Sequence, residues 1–143
     1  MILPINYQDT YLIRQEVLRK GKPIETCYFT GDAAKSTTHF GFFHAEQLIG
    51  VVSVFNTPSP LFHAPLQFQI RGMAVLNEFQ YNGIGNELML QAENYCRQQK
   101  GAVIWFNARE KAVRFYEKKD YQILGDAFEI PDVGIHFVMY KKL

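Results

Sequence analysis

Between Leu66 and Phe106 the apolar period changes twice, and that succession constrains the fold more than any other feature of the chain. Leu66, Phe68 and Ile70 alternate with Gln67, Gln69 and Arg71, which predicts a strand over 66–75 with one apolar face. Over 84–99, Leu88, Ala92, Tyr95 and Cys96 recur at i, i+4, i+7 and i+8, the spacing of an amphipathic helix that Gly101 closes. Ala102 to Phe106 is then an unbroken apolar run, as in a strand covered on both faces. Strand, helix and strand in that order predict a parallel pair joined by a crossover.

The flanking segments read differently. Thr38–His44 and Leu48–Phe55 resemble two strands joined by a turn at Ala45-Glu46-Gln47, and the three prolines between Asn56 and Pro65 predict an irregular loop. An N-terminal helix is expected over 9–20, with Asp9 as N-cap, Tyr11, Leu12, Val17 and Leu18 as apolar positions, and Gly21 and Pro23 as stops. A further helix over 110–119 and strands near 121–128 and 134–141 complete the chain. With 143 residues this is a single domain, 1–143, of mixed α/β (α+β) class: six or seven strands, an antiparallel first half and helices on both faces.

Charge and composition narrow the partners. Fifteen basic and fourteen acidic side chains are mixed along the chain, so no basic block predicts a nucleic-acid surface. No apolar stretch reaches the roughly 18 residues of a membrane span, and the N-terminus lacks the features of a secretory leader. The expected location is therefore the cytoplasm and the expected partner a small molecule. Cys27 and Cys96 lack zinc spacing, and His39, His44 and His63 share no metal-binding spacing, so no metal is expected. Cys96 reads as a small core residue, as do the larger Trp105 and Phe106.

The turn Gln80-Tyr81-Asn82-Gly83-Ile84-Gly85 joins the predicted strand to the predicted helix. Such a turn bares backbone N–H groups at the positive end of the helix dipole, which suits a phosphate or pyrophosphate; equally, glycine turns there are often only tight connections. A dinucleotide fingerprint would need a third glycine at position 88, which is leucine, and no Gly-X4-Gly-Lys-Ser/Thr loop is present.

Three segments together carry a resemblance. Arg71-Gly-Met-Ala-Val75, Gln80-X-X-Gly-X-Gly85 and Ala112-X-X-Phe115-Tyr116-Glu117-Lys118 resemble the GNAT superfamily of acetyl-CoA-dependent N-acetyltransferases, strongly over 66–143 and by element order before that. Asn107-Ala108-Arg109 and the closing Gly134–Tyr140 segment resemble one subgroup. The resemblance implies a GNAT-type, largely antiparallel sheet with a central parallel pair. It implies that Gln80, Tyr81, Asn82, Gly83, Ile84 and Gly85, with Asn86 opening the helix, bind the CoA pyrophosphate. Met73, Ala74 and Val75 would pair with the pantetheine arm, and Tyr116 would protonate the departing thiolate. Two positions depart from the pattern: Arg109 stands where many members have Asn, leaving Asn107 or Arg109 as the cofactor contact, and Asp120 where many have Gly. Homodimers are common in the family.

The implied chemistry needs a neutral amine, an oxyanion donor and a proton source. A strand amide, that of Val75 or a neighbour, is the expected oxyanion donor. His136 is the first candidate for general base, against a structural histidine; Glu78 and a water relay are weaker ones. A cation near Tyr116 would aid proton donation, and Arg109 is a candidate. Arg14 and Arg19 read as solvated arginines first and as contacts to an acidic acceptor second; Phe62 and His63 are candidates for the acceptor rim. The acceptor is an unidentified small-molecule or protein amine. The competing reading is a non-catalytic acyl-CoA sensor on the same fold.

Overall fold

The apolar runs all join one sheet. In the computed structural model, which describes residues 1–143, the strands are β1 (Ile2–Ile5), β2 (Thr38–His44), β3 (Gln47–Phe55), β4 (Gln67–Val75), β5 (Val103–Arg109), β6 (Gln122–Ile130) and β7 (Gly134–Lys142). Their order is β1-β2-β3-β4-β5-β7-β6. Every neighbouring pair is antiparallel except β4–β5, so the sheet is mixed and largely antiparallel with a central parallel pair. β1 is the strand that sequence reading leaves out, because four residues with Pro4 among them carry little pattern. The sheet edge tolerates that proline.

Helices cover both faces. On one, α2 (Ile84–Gln98) buries Leu88, Met89, Ala92 and Cys96 against Val52, Val54, Phe68, Ile70 and Ile104. Each fully buried large apolar side chain there contributes about 1.5–3 kcal/mol. The five-residue α3 (Val113–Glu117) closes the same core through Val113 and Tyr116. On the other face α1 (Tyr11–Leu18) sets Ile13 on Val51 and Ala74. No helix is long and apolar enough to cross a membrane.

Several expectations shift. Asp9 is not the N-cap of an α-helix: it lies in a 3-10 turn over Tyr7–Thr10 that Asn6 caps, and its carboxylate accepts the Asn6 N–H at 3.2 Å. The tighter turn rotates the phase of α1, so Leu12 is exposed while Ile13 and Arg14 are buried. Instead of one helix over 110–119, a 3-10 turn over Glu110–Ala112 precedes α3. β5 continues beyond Phe106 to Arg109, which puts Asn107 and Arg109 in a strand.

Candidate active site

The parallel ladder between β4 and β5 is short: Gln67 pairs with Val103, Phe68 with Ile104 and Gln69 with Trp105. Past these pairs the strands diverge. The β3–β4 register slips by one residue between Val51 and Ser53, so Gly72 and Met73 lie opposite Val52 as a bulge on β4. Gly72 takes φ +64°, and a Cβ there would lie 3.0 Å from Arg14 Nε and from the Phe29 ring. A bulge bends its strand and increases the twist. β5 meanwhile stays paired with β7 as far as Arg109 opposite His136.

The resulting opening is a cleft of about 460 Å³ between Arg71–Met73 on one side and Phe106–Arg109 with His136 on the other. A second hollow of about 380 Å³ adjoins it, lined by Met73–Val75, Tyr81, Gly83–Asn86 and Phe115. Val17, Met73, Gln80, Ala112 and Tyr116 border both, so Tyr116 stands at the junction.

Main-chain groups facing the second hollow lack sheet partners. Leu76 N–H donates to Ile49 O at 2.9 Å. By antiparallel alternation the Val75 N–H and carbonyl therefore point away from β3, toward the opening. Gln80 Nε2 donates to that Val75 carbonyl at 2.9 Å and to Asn77 Oδ1 at 3.0 Å. Asn82 Nδ2 holds the carbonyls of Phe79 at 3.2 Å and Gln80 at 3.3 Å, so these two side chains shape the loop itself. Gly83, at φ +79°, is the N-cap of α2. The N–H groups of Ile84, Gly85 and Asn86 then have no helical acceptor. A Cβ on Gly85 would rest 3.6 Å from Phe115 and 3.7 Å from Met73, filling the floor of the hollow. Asn86 Oδ1 accepts from Lys119 Nζ, which also sits 4.5 Å from the Phe115 ring centroid. Tyr81 is fully exposed at φ +66°, while Ala74 is buried and paired with Val51 of β3.

Tyr116 packs its ring against Phe106 and Phe115, with centroids at 4.4 and 5.1 Å. Burial pushes its phenol up to about 12, and no charged neighbour offsets that. Arg109 is therefore not the cation expected to assist it. Its Nη2 donates to the Leu18 carbonyl at 3.3 Å, and burial followed by repulsion from Arg19 lowers its pKa. Asn107 is exposed on the same strand and lines the larger cleft. His136 is buried on the wall of that cleft, and its Nδ1 donates to the Gly134 carbonyl at 2.8 Å. That bond fixes the tautomer and leaves the Nε2 lone pair free.

Other candidates are not brought here. Glu78 is exposed in a 3-10 turn and lines neither hollow. Phe62 stacks on Tyr140 at 5.3 Å, and neither it nor His63 reaches the cleft rim. Arg14 is neither solvated nor an acceptor contact: it is wholly buried, with Asp32 taking both its terminal nitrogens at 2.7 and 3.0 Å. Arg19 does line the cleft. His39 is locked between Ser53 Oγ at 2.6 Å and the Asp32 carbonyl at 2.9 Å, while His44 stacks on Phe79. Both cysteines are buried, and the Cys96 thiol is pushed up to about 12 by burial. Neither is placed for nucleophilic catalysis.

Phe29, which stands in no motif, and Arg71, which opens one, also line the cleft. Their signal was the polar face of β4, Gln69 and Arg71, beneath the segment that carries α1.

A family model for the acetyltransferase (GNAT) domain matches residues 22–143. Over 139 residues, 97% of this chain and 93% of the relative, the sequence is 34% identical to a Bacillus subtilis protein described as the uncharacterized N-acetyltransferase YitI. The fold matches Escherichia coli ElaA with a TM-score of 0.79 at 12% identity, covering 99% of this chain and 98% of that one. It matches an aminoglycoside 6'-N-acetyltransferase complexed with coenzyme A with a TM-score of 0.72 at 16% identity, covering 99% and 96%. At such identities these two structures bear on the fold alone.

Proposed function

The chain belongs to the GNAT family of acetyltransferases, and on that premise we propose how its two hollows divide the work of acetyl transfer to an amine. The protein is an N-acetyltransferase whose acceptor is unidentified. In our reading the smaller hollow takes acetyl-CoA, which supplies an activated thioester carbon, and the larger one takes the amine. The observation that carries this division is the opening past Gln69 and Trp105, with a Val75 N–H turned away from β3 on one wall and Tyr116 at the junction.

The α2 N-terminus is the proposed pyrophosphate site. Free N–H groups of Ile84, Gly85 and Asn86 favour an anion there, and Lys119 beside Asn86 adds positive charge. The shapes of Gln80, Tyr81, Asn82 and Gly83 serve that cradle through the main chain, since the Gln80 and Asn82 side chains are spent on holding the loop. Met73, Ala74 and Val75 would extend the sheet toward the pantetheine arm, with the Val75 N–H as oxyanion donor. Of Asn107 and Arg109, Asn107 is the freer for a cofactor contact, because Arg109 is tied to Leu18.

Tyr116 is the proposed acid. Against a thiol near 8.5, a phenol near 12 would protonate a free thiolate uphill by about 5 kcal/mol. Tyr116 therefore holds its proton until the leaving sulfur develops charge, and transfer accompanies C–S cleavage. His136 Nε2 is the proposed acceptor of the amine proton. Two buried free cysteines support a reducing, cytoplasmic setting.

The test is calorimetric titration with acetyl-CoA, followed by thiol release over a broad amine panel. Binding with turnover is expected. Binding without turnover on any amine would favour the sensor reading, and absence of binding would overturn both.

A further inference from the structure

The larger cleft is cationic. Arg19, Arg71, Arg109 and Lys111 line it, and no Asp or Glu does, in a chain that carries fourteen acidic side chains. None of these four cations forms an ion pair; the single buried arginine that does, Arg14, has its charge paired with Asp32. Arg71 is the most telling. Its guanidinium lies 4.3 Å from the Phe29 ring centroid, a ring that Arg14 also approaches at 3.9 Å, and 5.6 Å from that of Phe55, so aromatic contacts restrict it. It lines the cleft and makes no hydrogen bond or ion pair to a protein acceptor. Burial first, then Arg14 and Arg19, lower its pKa, and Asp32 offsets only part of this, so an anion in the cleft would favour the charged guanidinium.

The donor does not account for it. The pyrophosphate loop and the α2 N-terminus line the other hollow, and none of the four cations does. A fixed, planar, unpaired guanidinium matches a carboxylate bidentately. We propose that the acceptor is a small amine that carries a carboxylate, such as an amino acid, held by Arg71 with Arg19 and Arg109 flanking.

The same cations disfavour an ammonium beside them, so the bound amine is shifted toward the neutral nucleophile before His136 acts. The N–C bond forms at the acetyl carbon as the C–S bond breaks. One amine proton leaves to His136, the sulfur gains one from Tyr116, and the products are an N-acetyl acid and free CoA. The cleft of about 460 Å³ lies in the range of small-molecule sites.

This inference rests on the acetyl-transfer reading, and one experiment separates the two. Thiol release from acetyl-CoA is followed with free L-amino acids, their carboxamides and the corresponding decarboxylated amines, for the parent protein, Arg71→Gln and Arg109→Gln. Acetyl-CoA affinity is measured in parallel by calorimetry. Expected is kcat/KM at least about tenfold higher for the acids than for their amides. Arg71→Gln should remove most of that ratio while leaving acetyl-CoA affinity within about twofold; should Arg71→Gln not fold, Arg109→Gln must reduce the same ratio. Amides and decarboxylated amines used as well as the acids would overturn the proposal and spare the acetyl-transfer reading. So would a variant that weakens acetyl-CoA binding with the ratio intact, since that assigns the guanidinium to the donor. No acetyl-CoA binding by the parent would fail the donor reading instead, and this proposal with it.

Discussion

Gln69 of β4 stands opposite Trp105 of β5, and this is the last pair of the parallel ladder. Trp105 also donates its indole N–H to the Thr57 carbonyl at 2.9 Å, so the closed end of the strand pair is pinned to the proline-rich loop. Beyond the pair, β4 bulges toward β3 and β5 follows β7. A sheet opened in its middle leaves backbone groups without partners, which a folded protein tolerates where water or a ligand completes them. That opening is the space in which acetyl transfer is proposed.

Replacing Tyr116 by Phe should lower kcat by roughly 10²-fold or more, the usual contribution of a general acid, with acetyl-CoA affinity nearly unchanged. Steady-state rates beside calorimetry check this. A variant that keeps full turnover would remove Tyr116 from the mechanism.

Gly85→Ala separates ligand space from fold stability. Its Cβ would make ordinary contacts with Phe115 and Met73, so the denaturation midpoint should hardly move. The same methyl group occupies the floor of the smaller hollow, and acetyl-CoA binding should weaken by about tenfold. Gly83→Ala should instead cost stability, about 1 kcal/mol, because Gly83 sits at φ +79°.

Alkaline pH should destabilise the fold through buried phenols. The Tyr116 pKa is raised to about 12 from 10.0, so the native state keeps a proton that the unfolded chain loses. Its contribution is present below pH 10 and is lost as pH rises toward 12, about 3 kcal/mol in all. Tyr121, raised by burial and by Glu93, acts in the same direction. Urea melts at pH 8 and 11 should show the loss, and Tyr116→Phe should recover part of it.

Asp32→Asn should cost about 3–5 kcal/mol, since it leaves the buried Arg14 guanidinium without its counter-charge. Thermal denaturation measures this directly. A loss below 1 kcal/mol would show that Arg14 is stabilised by its bonds to Cys27 O and Ser53 Oγ alone.

Asp120→Gly should raise stability by roughly 0.5–1 kcal/mol. Asp120 takes φ +70° after α3, a conformation that glycine adopts without strain and aspartate does not. An unchanged urea midpoint would mean that the aspartate side chain offsets the strain.

Much of this was legible in the chain. The β4–α2–β5 order followed from local periodicities, and the glycine turn between strand and helix located the α2 N-terminus proposed to take the pyrophosphate. Tyr116 and His136 were named from sequence, and both line the cleft. The phase of α1 was not legible, because a 3-10 turn at Tyr7–Thr10 rotates it and an arginine takes a core position. Arg14 looks like a surface residue until Asp32, Cys27 and Ser53 are seen around it.

What the sequence determined alone is what short-range spacing controls: all the longer elements, their order, the parallel pair and the glycine turn. Tertiary structure decided where the sheet opens, because a one-residue slip between β3 and β4 is a property of two strands and not of either one. It also decided which charges matter. Arg14 is neutralised by a partner 18 positions away, while Arg71, in contact with Phe29 and near Phe55, lines the cleft unpaired. Burial and pairing are set by contacts between distant segments, and periodicity along the chain carries no record of them.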